Sequence, residues 1–294
     1  MGNYIEKITN NKVKSTVVRK IIDDKKYNEK LYYCCNSIDE HNDGSYAAIY
    51  ACGVYFCPVC SGLKYNKEFA ISCHVYDKLM QLEVKPLLYF LTLTIQECEP
   101  GEVATVVNDM KYAFNEVFLR KQLIKKVLLG SSVFLHYGMN TTMVHPHLHV
   151  VLALRPSYIG VNRIKKNEWR DMWKSAINAN YDPRIELTRI SHSDNPLDNK
   201  LAFAAATAYG IHAIKYDDII KNPHTFNQMV SEVKSIRKVS HTQLLRKLRS
   251  EVSQDYKQSR NKSDKEVANH YRYNDKENSY QLRHNKQTSF EQDE

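Results

Sequence analysis

One segment of the chain, HPHLHVVL at positions 145–152, places three histidines at alternate positions of an otherwise apolar stretch. On a β-strand, His145, His147 and His149 share one face, while the leucines and valines between and after them take the face that a core would cover. Placing three imidazoles together on one face costs free energy unless a ligand binds them, and a divalent metal ion is such a ligand. The spacing favours a metal site on a strand. The alternative is a solvated polar face on an edge strand.

A fourth histidine, His136, lies in the preceding predicted strand, at 132–138. The segment between the two strands is a natural hairpin turn, so the strands are expected to pair antiparallel. In that arrangement His136 can reach the same site as a further metal ligand. The alternative for His136 is an ordinary surface histidine.

Two tyrosines and a histidine follow an alanine-rich segment that is predicted to be one continuous helix. Tyr209, His212 and Tyr216 stand at i, i+3 and i+7, hence on one helix face. A neutral phenol is a poor nucleophile, but a nearby base or a bound cation activates it. Attack by tyrosine on a DNA phosphodiester keeps the energy of the broken bond, so the strand can be rejoined. The alternative is packing at a core edge, since the chain has 20 tyrosines.

Cysteines concentrate in the first part of the chain, where Cys52, Cys57 and Cys60 fall within nine residues. Four thiolates at tetrahedral geometry are a standard structural zinc site. The set predicted from spacing adds Cys35 as the fourth ligand, with Cys34 as its substitute. Buried free thiols and a redox pair are the alternatives, and redox is the weakest because no thioredoxin-like context surrounds the C-P-V-C motif.

The charge of the chain suits a polyanionic partner. Lys and Arg number 42 against 33 Asp and Glu, which gives +9 and a pI near 9.0. The basic side chains just after the histidine strand are candidate phosphate contacts, with solvated surface as the alternative; they are Arg155, Arg163, Lys165 and Lys166. No apolar run approaches the roughly 20 residues that cross a bilayer, and no secretory signal is evident. The sequence predicts a cytoplasmic protein without a membrane partner.

Strands interspersed with helices, with at least one antiparallel pair, predict an α+β fold in which helices pack on an antiparallel sheet. Residues 1–33 are predicted to be an N-terminal arm, mobile or a peripheral helix. Residues 34–85 are predicted to form the cysteine-rich zinc module and a helix, and 86–256 the catalytic domain. Residues 257–294 hold eight basic and seven acidic residues but few apolar ones. They are predicted to be a disordered tail.

Six motifs occur together in a known order: FCPVC at 56–60, FLTLT at 90–94, HPHLHVVL at 145–152, Glu168-Trp169 with Met172-Trp173-Lys174, Tyr181-Asp182-Pro183, and Lys215-Tyr216. In this combination the chain resembles plasmid rolling-circle replication initiators of the HUH endonuclease superfamily, in the group whose first motif reads FLTLT. The resemblance covers about residues 34 to 218. It implies an HUH endonuclease-like catalytic sheet, preceded by the zinc module.

The resemblance also implies site roles. His147 and His149 are the paired ligands of Mn²⁺ or Mg²⁺, and imidazole ligands tilt the preference toward Mn²⁺. Tyr216, in the usual Lys-Tyr pair, is the first choice as nucleophile, and Tyr209 is the reserve. The chain departs from the family where His212 replaces an expected glutamate and His136 an expected acidic residue. The first change concerns the terminating cleavage, in which that glutamate is thought to activate water. The second leaves the site one negative charge poorer, which again favours Mn²⁺.

The function implied is nicking and joining at a plasmid origin through a 5′-phosphotyrosine intermediate in bacterial cytoplasm. The DNA is single-stranded or an extruded hairpin, and the partners are a host helicase and polymerase, with homo-oligomerisation left open. One rival is an HUH transposase or relaxase with the same chemistry. A second is a zinc-containing DNA-binding replication protein without catalysis. A third is a metal-dependent hydrolase of small substrates.

Overall fold

A computed structural model describes residues 2–190, 193–261 and 266–285 of the chain. Helices and antiparallel sheets alternate along it, so the predicted α+β fold is confirmed. The chain divides into two compact units, one formed by Met1–Lys64 with Lys257–Glu294 and the other by Tyr65–Tyr256. This division differs from the predicted boundaries, because the two chain ends belong to one unit.

Ten α-helices and nine strands are found in the described residues. The helices are α1 (Gly2–Ile21), α2 (Lys25–Tyr33), α3 (Pro58–Met80), α4 (Val103–Tyr112), α5 (Gln122–Val127), α6 (Lys166–Ala176), α7 (Pro196–Tyr209), α8 (Tyr216–Lys221), α9 (Pro223–Val230) and α10 (Gln243–Asn261). The strands are β1 (Ser37–His41), β2 (Tyr46–Ala48), β3 (Leu87–Thr94), β4 (Leu128–Met139), β5 (Val144–Leu154), β6 (Ile185–Arg189), β7 (Val239–His241), β8 (Val267–Asn274) and β9 (Ser279–Asn285). Among the described helices, none has the length and apolarity that crossing a membrane requires.

The second unit is built on a five-stranded antiparallel sheet with the order β6-β3-β5-β4-β7. The histidine strand β5 is therefore the central strand, and the alternative of a solvated edge strand is wrong. From Leu148 to Leu154 every residue of β5 is buried, because helices cover both faces of the sheet.

The two faces of this sheet carry different packing. On the face shared by the histidines, Val151 and Ala153 continue the row and join a core with side chains of α3, α7 and α10. On the other face, α4, a π-helical turn at Ala113–Phe118 and α6 pack through aromatic rings. Trp173 donates its indole N–H to the carbonyl of Thr94 at 2.8 Å, which anchors α6 to the end of β3.

The segment before β4 is helical in three successive pieces, which are α4, the π-helical turn and α5. The chain leaves helical geometry after Val127, and β4 already begins at Leu128. Gly130 lies in β4, and a Cβ there would come within 2.8 Å of the Leu245 backbone nitrogen. This glycine therefore allows α10 to approach the strand closely.

The first unit contains α1, α2 and a four-stranded sheet with the order β2-β1-β8-β9. Residues 1–33 were expected to be either a mobile arm or a peripheral helix, and the structure has the helices α1 and α2 in this segment. The predicted disordered tail is wrong over 267–285, where β8 and β9 form an antiparallel hairpin. Tyrosines supply buried surface that a count of aliphatic residues alone does not include. Tyr273 is 8% exposed, and its ring centroid lies 5.1 Å from that of Tyr280. Residues 262–265 and 286–294 of that predicted tail lie outside the described residues.

Candidate functional site

Three histidines converge in the middle of the five-stranded sheet. His136 on β4 is paired directly with His147 on β5, and His149 follows two positions later on the same face. One ring nitrogen from each of these three lies within 4.8 Å of the others, which is a grouping that can hold a metal ion. The predicted antiparallel pairing thus brings His136 to the HxH motif.

Each of the three imidazoles uses one nitrogen on a protein partner. Nε2 of His136 lies 3.0 Å from the Gly210 carbonyl, and Nδ1 of His147 lies 3.1 Å from the His145 carbonyl. A carbonyl only accepts, so each ring donates there and keeps a lone pair on its other nitrogen. Nδ1 of His149 lies 3.1 Å from the Thr92 hydroxyl, which leaves Nε2 for a ligand. Such outer partners orient the ligands of metal sites.

The electrostatics of the cluster favour neutral imidazole, the form that binds metal. Burial lowers the pKa of His136 well below its ordinary value, with further lowering from the neighbouring histidines. Burial is also the main cause that lowers the pKa of His147, and that of His149 to about 4. The donor set and its protonation state therefore fit a divalent cation.

His145 does not belong to this group of three. It lies on the expected face, with its ring 5.7 Å from that of His147, but its nitrogens are not among the grouped ligand atoms. Its Nε2 is buried and has no hydrogen-bond partner in the described part of the chain. The register explains this, because His145 is paired with Gly138, two residues along each strand from the His136–His147 pair.

Tyr209 lies over the histidine cluster. Its ring centroid is 5.5 Å from that of His136 and 5.6 Å from that of His149. The side chain is 39% exposed, so a substrate can reach it from solvent. Tyr209 is the last residue of α7, the helix that the alanine-rich segment forms.

The predicted continuous helix through Tyr216 is wrong. The chain leaves α7 at Gly210, and the next residues turn back to the sheet, where Tyr137 donates its N–H to the Ala213 carbonyl at 2.8 Å. Tyr216 begins a separate helix, α8, so the two tyrosines do not share one helix face. Burial is the main cause that lowers the pKa of His147 and of His149, and the charge of the preceding Lys215 lowers both further.

His212 lies between the two tyrosines. Its ring is 5.6 Å from that of Tyr65. The pKa of His136 is lowered mainly by burial, and a positive charge on His212 would lower it further. Burial lowers the pKa of His212 as well, so the ring is neutral and able to accept a proton at neutral pH.

Gly210 joins the helix end to the sheet. Its carbonyl accepts from His136, and a Cβ at this position would fall 2.2 Å from the ring of Phe134 on β4. Only a residue without a side chain lets the end of α7 lie this close to the sheet. The same contact keeps the adjacent Tyr209 at the histidines.

A second candidate metal site lies in the first unit. It groups four sulfur atoms within 4.8 Å of one another, from Cys34, Cys52, Cys57 and Cys60. Cys34 Sγ is 3.5 Å from Cys60 Sγ and 3.6 Å from Cys57 Sγ, and Cys52 Sγ is 3.5 Å from Cys60 Sγ. A tetrahedron with a metal–sulfur distance of about 2.3 Å has edges of about 3.8 Å. The cluster therefore has the dimensions of a zinc-thiolate site.

The fourth sulfur comes from Cys34, not from Cys35 as predicted. Cys34 directly follows α2, and the backbone turns at Cys35, which has a left-handed φ of 51°. The Cys52 N–H donates to Cys34 Sγ and the Gly53 N–H to Cys60 Sγ, at 3.5 and 3.3 Å. These backbone donors suit negatively charged sulfur.

A lysine is buried beside this cluster. Lys12 is 2% exposed, and its ammonium donates to the carbonyls of Tyr32 and Cys34 at 3.0 and 2.6 Å and to Asn36 Oδ1 at 2.7 Å. Burial lowers its pKa, while the charge of Cys34 acts in the opposite direction. A buried cation with three neutral acceptors is costly unless an anion lies near.

Comparison with known proteins places these features in a family. A family model described as "Replication protein" (Rep_1) matches residues 44–290. The chain belongs to this replication protein family. No solved structure matches the chain significantly.

Individual relatives agree with this assignment. A "Protein rep" from Streptococcus pneumoniae serotype 2 is 24% identical, over 69% of this chain and 63% of its own length. A "Protein rep" from Bacillus sp is 28% identical, over 55% of this chain and 54% of its own length. One from Bacillus amyloliquefaciens is 30% identical, over 47% and 41%. The chain thus spans between two fifths and two thirds of these curated relatives.

Three of the four predicted DNA contacts of this family member line one cavity. Arg163, Lys165 and Lys166 border a space of about 820 Å³ beside Tyr89 and Tyr158. Arg155 is not among its lining residues; it precedes the 3-10 turn at Pro156–Tyr158 and is exposed.

Sequence reasoning missed Thr92, Gly210 and Lys12. The alternation in FLTLT places Thr92 on the same strand face as Phe90. Its pairing with His149 could have been inferred by assuming a register between the two strands. No local signal marks Gly210 or Lys12, because their roles depend on contacts with residues 74 and 22 positions away.

Proposed function

We propose that the chain is a replication initiator that nicks and rejoins DNA at a plasmid origin by tyrosine attack on a phosphodiester. The observation that carries this proposal is the position of Tyr209 over three converging histidines. A phenol beside a neutral, metal-competent imidazole cluster fits phosphoryl transfer to tyrosine. Membership of the replication protein family supports the role in replication.

His136, His147 and His149 would hold the metal, with His145 next to them on the strand. A bound divalent cation would polarise the scissile phosphate as a Lewis acid. Three imidazole donors favour Mn²⁺ over Mg²⁺, because Mg²⁺ prefers oxygen ligands. Thr92, Gly210 and the His145 carbonyl fix the ring orientations before any substrate arrives.

The reaction is an in-line displacement at phosphorus. The phenol of Tyr209 loses its proton, its oxygen bonds to phosphorus, and the bond from phosphorus to the 3′ oxygen breaks. That oxygen takes up a proton and leaves as a 3′-hydroxyl for a polymerase, while the 5′ phosphate stays on the tyrosine. Tyr attack depends chiefly on geometry, which the contact of α7 with β4 supplies.

Tyr209 replaces Tyr216 as the proposed nucleophile. The sequence ranked Tyr216 first because it follows a lysine. Tyr209 takes its place because its ring centroid lies 5.5 Å from that of His136 and 5.6 Å from that of His149. Tyr216 stays the reserve. His212, neutral and near His136, is the proposed general base for the release step.

The Cys34, Cys52, Cys57 and Cys60 cluster is proposed to hold a structural zinc ion. The proposed DNA is single-stranded or a hairpin at the origin, and a host helicase and polymerase complete replication. A rival without catalysis would bind the same origin but form no covalent product.

A denaturing gel tests the reaction. Purified protein with Mn²⁺ is incubated with labelled single-stranded DNA spanning the origin of the replicon that encodes it. We expect a protein-linked 5′ DNA band that disappears in Tyr209→Phe and persists in Tyr216→Phe. Tyr112→Phe, at an exposed tyrosine of α4 that is 66% accessible, serves as the matched control.

The other outcomes separate the rivals. Loss of the band only in Tyr216→Phe would move the nucleophile to α8. Tight origin binding without any covalent band would support the non-catalytic protein, and cleavage without an adduct would support a metal-dependent hydrolase.

A further inference from the structure

A cavity lies on the sheet face opposite the histidines, between β3, β6 and the segment that leads into α6. Tyr89 and Leu187 form its sheet side; they are on the alternate face from Thr92, which bonds to His149. Tyr158 forms a second wall, with its ring 5.2 Å from that of Tyr89 in an edge-to-face arrangement. At about 820 Å³ the cavity is within the range of ligand pockets. We refer to it as the basic pocket.

The walls of the basic pocket are held in place. The Tyr158 hydroxyl donates to the Ile164 carbonyl at 3.2 Å and accepts from the indole N–H of Trp169 at 3.1 Å. Both partners are buried, so Tyr158 cannot turn outward to fill the space. The aromatic surface is therefore preformed.

The rim of the basic pocket is cationic. Arg163, Lys165 and Lys166 are exposed there, and none of the described side chains that line the cavity is acidic. Across the described ranges, none of these three side chains forms an ion pair. Unpaired cations beside an aromatic wall are the combination that binds unpaired nucleic acid, with bases stacked on rings and phosphates on the basic groups.

Edge strand β6 separates the basic pocket from the histidine site. Glu186 of β6 is paired with Thr92, whose hydroxyl bonds to His149. Arg184 is the main cause that lowers the pKa of Glu186, and Lys166 and His149 add to it. Lys166 and His149 therefore both lie near one carboxylate, and a DNA strand that crosses this edge can reach both places.

We propose that the basic pocket binds an unpaired nucleotide of the DNA strand that is cut at the histidine site, with the base against Tyr89 and phosphates on Lys165 and Lys166. This inference rests on the proposed function for the identity of the strand. It adds a binding site remote from the reacting phosphate, which would select single-stranded over duplex DNA. A base paired within a duplex cannot enter such a cavity without leaving its stack.

Fluorescence anisotropy without Mn²⁺ tests binding apart from cleavage. The probes are fluorescein-labelled dT20, an abasic strand of the same length and a 20-base-pair duplex. We expect Lys165→Ala/Lys166→Ala to weaken dT20 binding about tenfold and to make the salt slope shallower by about 1.4. Tyr89→Leu should weaken dT20 binding at least about fivefold but leave the abasic strand unchanged. The control, Lys85→Ala/Lys247→Ala, removes two exposed lysines elsewhere in the same unit.

Two results would overturn the inference. One is equal binding of dT20 by the Lys165/Lys166 double variant and the wild type. The other is an equal effect of Tyr89→Leu on dT20 and on the abasic strand. If Tyr89→Leu does not fold, photocrosslinking of 5-iodouracil DNA to the wild-type chain decides. Adducts on peptides that contain Tyr89 or Tyr158 support the pocket, and adducts found only elsewhere exclude it.

The outcomes also separate this inference from the proposed function. If DNA binding depends on the basic pocket but no covalent adduct forms in Mn²⁺, the proposed role of the pocket is retained and the nicking reaction is rejected. If the Lys165/Lys166 double variant forms a normal adduct, and does so at the same DNA concentrations as the wild type, the nicking reaction is retained and the proposed role of the pocket is rejected.

Discussion

At the scale of single residues, Gly210 links the stability of the fold to the geometry of the site. A Cβ at this position would meet the Phe134 ring at 2.2 Å, so Gly210→Ala must displace either the ring or the end of α7. We expect a loss of about 1–3 kcal/mol in the free energy of unfolding, the usual cost of overpacking a core. Denaturant titration followed by circular dichroism measures it.

Gly101→Ala is the matched control for this substitution. Nothing lies within 4 Å of a Cβ built on Gly101, so the change should stay within about 0.5 kcal/mol. Equal stability of the Gly210→Ala and Gly101→Ala variants would contradict the close approach of α7 to β4.

Lys12 carries a prediction about zinc. Its ammonium holds the Cys34 carbonyl and brings positive charge to a cluster that four thiolates and Zn²⁺ would leave with a net negative charge. We expect Lys12→Met to weaken zinc binding about 10- to 100-fold, the usual effect of losing an outer partner of a metal ligand. Competition with a chromophoric chelator measures this affinity.

The control for Lys12 is on the same helix. Lys20→Met removes an exposed cation from α1, so zinc affinity should not change. If Lys12→Met binds zinc as tightly as the wild type, the buried ammonium has no role in the charge balance of the cluster.

At the scale of elements, β7 and α10 contain a group that makes stability depend on pH. Burial is the main cause that lowers the pKa of His241 to about 3, and Arg249, Arg237 and Arg246 add to it. In the unfolded chain this histidine titrates near its ordinary value of about 6.5. Between these values the unfolded state binds more protons, so stability is present above pH 6.5 and is lost as the pH falls toward 3.

The test compares the wild type with His241→Asn, which keeps a polar group facing the Ser132 hydroxyl that lies 2.9 Å from Nδ1. We expect the wild type to lose about 1–2 kcal/mol more than the variant between pH 7 and pH 5. The difference cancels contributions from the other histidines. Parallel losses in both proteins would show that His241 is not responsible.

The elements also show what local sequence could reveal. The alternation in β5 predicted the strand, its pairing with β4 and the meeting of His136 with His147, because these depend on a two-residue period and a short hairpin. The end of α7 was missed, because alanines favour helix through Ala213 while a long-range pairing with Tyr137 ends it. The choice between Cys34 and Cys35 was wrong because it depends on one backbone turn.

At the scale of the whole molecule, the chain ends were the least predictable part. A segment poor in aliphatic residues was expected to be disordered, yet β8 pairs with β1, more than 200 positions earlier. Only such distant pairing provides the surface that offsets the entropy of ordering. Composition cannot reveal a partner that lies at the other end of the sequence.

The same topology predicts that the two compact units respond differently to loss of zinc. The cysteine cluster lies in the unit formed by the chain ends, and the histidine site lies in the other. Since structural zinc sites contribute directly to folding free energy, a chelator should unfold the first unit. Hydrogen exchange should rise in peptides covering β1, β8 and β9, while β3 to β5 stay protected.

A pair of neighbouring variants makes this prediction sharp. Cys34→Ser should reproduce the effect of the chelator because it removes one of the four grouped sulfurs, whereas Cys35→Ser should keep zinc and the protection of β1. Both cysteines are fully buried, so a difference between the variants cannot come from exposure. Equal loss of protection in the two variants would mean that core packing, not metal coordination, stabilises this unit. Equal loss in β3 to β5 after chelation would mean that the two units do not unfold independently.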